Sequence, residues 1–193
     1  MSFLSYVSPV QKPTLTRRRF FAVFGGTVVA AGTIVAFFRT RGYQVSDSVR
    51  ARLVTLSPWQ FVFLQHAARR IAAADIDDPK IPTTDAVDVA GFIDAYLARL
   101  PPTKKKDLGR LFAYVEHLAP LRLNLAARFT RLSPGDQDRV LASLESSDQD
   151  LLRGGFEGLK ALVFMGYYRD PRTWKILNYA GPMVLRPERG WWE

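Results

Sequence analysis

From residue 57 almost to the end, apolar residues recur at intervals of three and four, and no run alternates strictly with period two for a useful length. The spacing predicts an all-α domain. Ser57-Pro58-Trp59-Gln60 carries three helix-start signals: a serine cap, a proline where no N–H is needed, and a glutamine that completes a capping box. Trp59, Phe63, Ala67, Ile71 and Ala74 then share one face. After an Asp- and Pro-rich loop, a second helix is expected from Thr84 or Asp85. It shows Val89, Phe92, Ile93, Tyr96, Leu97 and Leu100 on a stripe that Pro101-Pro102 ends. A third, from Thr103, is expected to bury Leu108, Leu111, Phe112, Val115 and Leu118, with Pro120 kinking or interrupting it before Leu121, Leu125 and Phe129. Ser133-Pro134-Gly135-Asp136 repeats the start signal ahead of Val140, Leu141 and Leu144. A fifth stretch from about Asp148 carries Leu151, Leu152, Phe156, Leu159, Leu162 and Val163. Gly154, Gly155 and Gly158 weaken it unless something packs closely there. Residues 165–182 and Trp191-Trp192 read as an irregular, aromatic C-terminal arm.

The first forty-one residues follow a different pattern. Thr16-Arg17-Arg18-Arg19-Phe20-Phe21 fits the twin-arginine export signal: a small hydroxylated residue, two arginines, any residue, then two large apolar ones. Phe21 to Phe38 follows, eighteen residues without a charge, and then Arg39-Thr40-Arg41. Such a run reaches about 27 Å as a helix, close to the hydrocarbon thickness of a bilayer. Val29-Ala30-Ala31 is the only tolerable signal-peptidase site and lies inside the apolar run, so an uncleaved anchor through residues 21–38 stands beside cleavage as a reading. Four basic residues precede the run and two follow it, which puts the N-terminus in the cytoplasm and the remainder across the membrane. The organisation expected is thus a signal or anchor over residues 1–41, a spacer over 42–56 and a helical domain over 57–193.

Charge changes the picture less than its total suggests. The chain of 193 residues has a formal charge of +9, but residues 1–41 hold six basic residues and no carboxylate, leaving 21 basic against 18 acidic beyond them. The excess belongs to the targeting segment, and no nucleic-acid partner is expected. With no cysteine, disulfides, zinc-thiolate sites, iron–sulfur clusters, covalently attached haem and cysteine nucleophiles are excluded for this chain.

Candidate chemistry is sparse. His66 and His117 belong to no metal-spaced pair; His66 reads as a core or edge histidine, and His117, after Glu116, as a surface one. Asp75, Asp77 and Asp78 lack the calcium-loop pattern and read as a solvated turn. No phosphate loop, dinucleotide fingerprint or nucleophile elbow is present, and Lys104-Lys105-Lys106 reads as a solvated run. No cofactor is expected here. The residues with interface chemistry are Tyr167, Tyr168, Arg169, Trp174 and Tyr179, because protein interfaces enrich aromatics and arginine.

The helix at Phe61 to Ala74, the loop at Ile81-Pro82, the helix at Val89 to Leu100, the step Phe129-x-x-Leu132-Ser133, Gly166-Tyr167-Tyr168 with Trp174, and Tyr179-x-Gly181-Pro182, all behind a twin-arginine signal, resemble the small third subunit of gluconate 2-dehydrogenase and its relatives over residues 57–182. The resemblance implies a non-catalytic subunit that binds a large FAD-dependent dehydrogenase of the glucose–methanol–choline class and supplies its export signal to the twin-arginine translocase. In such complexes a cytochrome c subunit with haem takes the electrons onward. A different class of reading also stands: a membrane-anchored periplasmic enzyme or ligand-binding domain using His66 or the Asp75 to Asp78 loop.

Overall fold

The computed structural model describes residues 42–72 and 78–181. The export motif (Thr16, Arg17, Arg18, Phe20 and Phe21), the apolar run 21–38, Asp75, Asp77, Trp191 and Trp192 lie outside the described residues. Among the described residues all regular structure is helical, as the spacing predicts: α1 (Asp47–Arg52), α2 (Pro58–Ile71), α3 (Val89–Ala98), α4 (Pro102–Ala113), a π-helical turn (Tyr114–Leu118), α5 (Ala119–Arg122), a 3-10 turn (Phe129–Arg131), α6 (Pro134–Glu145), α7 (Asp150–Tyr168) and a closing 3-10 segment (Pro171–Leu177). None of these helices is long and apolar enough to cross a membrane.

Helix α2 is the centre, packed against α3, α4, α6 and α7. Its start is the expected one: Gln60 Oε1 accepts the Ser57 N–H at 2.9 Å. Fully buried Phe63 meets Phe112 and Phe129, each with ring centroids 5.6 Å away, and Leu64, Ile93, Leu159 and Val163 complete the core. Burial of α2 is broader than the single face predicted, since Phe61, Leu64 and Ala68 are also inside while Trp59 is half-buried. Helices α3 and α7 approach closely because Gly166 has no side chain; a Cβ there would lie 3.0 Å from Phe92 and Val89.

Three expectations are corrected. Helix α3 begins at Val89 rather than at Thr84 or Asp85. Asp88 adopts a left-handed backbone (φ 56°) and turns its carboxylate onto the Gly91 N–H at 3.2 Å, so the preceding residues form turns. Leu118 is 52% exposed rather than buried. Pro120 has no N–H to offer the Glu116 carbonyl, and the helix takes a wider turn in which the Ala119 N–H reaches Tyr114 O. The extra residue rotates the inward face, so Glu116 points inside and Leu118 outside. Leu151, finally, is 85% exposed, whereas Phe156, Leu159, Leu162 and Val163 are buried as expected. The C-terminal arm is also more regular than its composition suggests: Met165 to Tyr168 form the last turn of α7.

Candidate functional site

The π-helical turn places a carboxylate where the stripe pattern expects hydrocarbon. Glu116 has no exposed surface. Its Oε1 accepts from Tyr43 Oη at 2.6 Å and from Thr130 Oγ1 at 2.7 Å, and its Oε2 accepts from the Thr130 N–H at 3.2 Å. The Arg128 guanidinium, almost fully buried, has its Nε 3.6 Å from Oε1 and lies 3.8 Å over the Tyr43 ring. Burial pushes the Glu116 carboxyl above its ordinary pKa, although the bonds from Tyr43 and Thr130 and the charge of Arg128 pull the other way. Tyr43 is raised too, first by burial and then by its bond to Glu116. Outside this cluster, Trp59 lies between Tyr43 and His117, at 6.5 and 5.5 Å between centroids. His117 is therefore half-buried against a ring rather than a plain surface residue. Three segments far apart in sequence are latched together here: the chain entry at Tyr43, the π turn, and the 3-10 turn at Phe129–Arg131.

A second buried carboxylate, Asp94 on α3, accepts the N–H groups of Val54, Thr55 and Leu56 at 2.8, 2.9 and 2.7 Å and holds the approach to α2. Neither acid was legible from sequence as a buried group. The only signals are a glutamate four residues before a proline and an aspartate inside an apolar helix. Both arrangements satisfy backbone and side-chain donors, and neither faces a cleft.

The candidates singled out by residue type are scattered. His66 is half-buried with Nδ1 3.2 Å from Gln137 Nε2, which also donates to Phe129 O at 3.0 Å. Burial, with Arg69 nearby, lowers its pKa. It is an edge histidine, as its pattern suggests. Asp78 accepts the Lys80 N–H at 2.8 Å in a turn. No group of three metal-binding side chains occurs among the described residues. A cleft of about 290 Å³ lies beside Tyr114, Arg122, Ser143 and Ser147, away from all of these candidates; its Arg122 donates to Tyr114 Oη at 2.9 Å. Of the lysine run, Lys105 donates to Ala98 O at 3.0 Å, bracing the end of α3.

The C-terminal aromatic residues divide. Tyr167 is fully buried, its hydroxyl donating to Pro82 O at 2.9 Å, so its ring belongs to the domain's own core. Arg169 donates to Val87 O at 3.1 Å and lies over the Phe92 ring. Trp174 donates from Nε1 to Tyr168 O at 2.7 Å and meets Tyr179 edge-on. Tyr168 is half-buried, and Tyr179 is 47% exposed. The surface left open is the outward side of α7, where Leu151, Gly154, Gly158, Ala161, Met165 and Tyr168 recur at spacings of three and four. Met165 is 43% exposed, and a Cβ at Gly154 or Gly158 would meet nothing within 4 Å.

A small helical domain with buried carboxylate latches and an exposed apolar helix face has the build of an assembly subunit. The model of the family described as gluconate 2-dehydrogenase subunit 3 matches residues 58–181, more than half of the chain, and the chain belongs to that family, whose members are accessory subunits of an oxidoreductase. No curated protein and no solved structure matches it.

Proposed function

We propose that this chain is the export-directing, non-catalytic subunit of an FAD-dependent dehydrogenase of the glucose–methanol–choline class. Thr16, Arg17 and Arg18, with Phe20 and Phe21, engage the twin-arginine translocase, which carries chains already folded. The flavoprotein, loaded with FAD in the cytoplasm, crosses with this chain. Residues 21–38 remain as an anchor in the inner membrane and hold the helical domain in the periplasm, where a cytochrome c subunit takes the electrons. This chain itself binds no flavin, haem or metal in that scheme; its task is adhesion and address.

The observation that carries the reading is the outward side of α7. Two glycines there cost helix stability, about 1 kcal/mol each relative to alanine, and nothing in the domain uses the space they leave. A partner helix or strand seated on Leu151, Gly154, Gly158 and Met165 uses it, with Tyr168 and Tyr179 at the edge. The test is export. Lysine lacks the planar fork of arginine, so Arg17→Lys with Arg18→Lys is expected to leave both this chain and a co-expressed flavoprotein in the cytoplasm. Normal periplasmic delivery of the flavoprotein with the double variant overturns the escort role.

A further inference from the structure

We infer that the face around Gly42, built by the π turn, α5 and the loop to Arg131, docks on the phosphate headgroups of the bilayer; the inference rests on the anchored reading above. The chain enters the domain at a fixed point. Tyr43 Oη is held 2.6 Å from buried Glu116, Arg128 Nη2 donates to Gly42 O at 3.4 Å, and a Cβ at Gly42 would lie 3.1 Å from Arg131 Nη2. The apolar run ends at Phe38, four residues earlier. Four residues span at most about 14 Å when fully extended, whereas a small folded domain is about 30 Å across. No folded partner fits between this entry point and the membrane surface, and the occupant left is lipid.

The composition of the face agrees. From His117 to Gly135 the chain holds Arg122, Arg128 and Arg131 and no carboxylate, with leucines at 118, 121, 123, 125 and 132. Leu118 and Leu121 are 52% and 46% exposed, three residues apart and flanked by Arg122. Arg39 and Arg41 lie in the four-residue link itself. Exposed leucines beside arginines, with Trp59 and Tyr43 behind them, suit an interface where apolar side chains enter the headgroup layer and guanidinium groups pair with phosphate.

The absence of cysteine makes the test clean. Full-length chain with Leu121→Cys, or with Leu151→Cys on the α7 face, is labelled with one fluorophore and reconstituted in vesicles containing headgroup spin-labelled lipid. The vesicles are either pure phosphatidylcholine or phosphatidylcholine with one third phosphatidylglycerol. Quenching at residue 121 is expected to exceed that at 151 severalfold in the anionic vesicles and to fall in pure phosphatidylcholine. Arg122→Gln with Arg131→Gln, its helical circular dichroism unchanged, is expected to bring it to the level at 151. Equal quenching at the two positions in chain that floats with the vesicles overturns the docking but leaves the anchor. Shielding of residue 121 only on adding the flavoprotein assigns the face to that partner and also overturns it. Chain that does not float with vesicles removes the anchor, and the docking with it.

Discussion

Glu116 shows how one buried charge sets testable behaviour. Its carboxyl binds a proton more tightly in the folded chain than in the unfolded one, because burial penalises the charged form. Its stabilising contribution is therefore complete below its ordinary value of 4.5 and is lost as pH rises through the higher folded value. Glu116→Gln keeps an acceptor and cannot ionise. The advantage of wild type over this variant in thermal melts should shrink as pH rises from about 5 to about 8; a gap that stays constant shows an ordinary carboxyl pKa. Glu116→Ala leaves Tyr43, Thr130 and Arg128 facing a void and should cost about 3–5 kcal/mol. Tyr167 makes a parallel case. Alanine there should cost about 3–5 kcal/mol from lost core volume, and phenylalanine about 1 kcal/mol from the lost bond to Pro82. Denaturant titration separates the two, and a Tyr167→Ala protein of undiminished stability would place the ring outside the core.

At the scale of the element, α3 depends on one cap. Asp88 holds the Gly91 N–H, and a Cβ at Gly91 would fall 2.3 Å from Asp88 Oδ2. Asp88→Ala should cost about 1 kcal/mol, and Gly91→Ala about 1–3 kcal/mol, since the cap carboxylate must move. The double variant should cost less than the sum, because removing the carboxylate removes the clash. Additive losses in a double-mutant cycle would show that the strain lies elsewhere. The accompanying Arg52–Asp88 ion pair is exposed on both sides and adds little. The π turn follows similar logic: a missing N–H at Pro120 is absorbed by one wider turn, and that turn is what delivers Glu116 to the core.

For the whole molecule, the domain's stability and its proposed assembly pull in opposite directions on α7. Gly154→Ala with Gly158→Ala should raise the stability of the protein by about 0.5–1 kcal/mol each, because their sites are open and alanine is the better helix former. The same pair should weaken retention of the flavoprotein on the tagged chain. A stabilised variant that retains its partner fully would move the interface off this face. Gly155 is the internal contrast: its Cβ would meet Leu111 at 2.9 Å, so alanine there should destabilise.

The sequence alone determined the helical class, the capped starts at Ser57 and Ser133, and most of the core stripe, because a period near 3.6 and short-range caps are properties of neighbouring residues. The family was legible in the same way, from motifs spanning 57–182 that the family match over 58–181 nearly reproduces. Only the tertiary structure decided that Tyr167 belongs to the core and Leu118 and Leu151 to the surface, that α3 waits for Asp88, and that Glu116 and Asp94 are buried. Each depends on a partner that sequence distance hides: Tyr43 is 73 positions from Glu116, and Pro82 is 85 from Tyr167. A polar side chain becomes a core residue only when donors from elsewhere in the chain arrive to satisfy it, and no local period records their arrival.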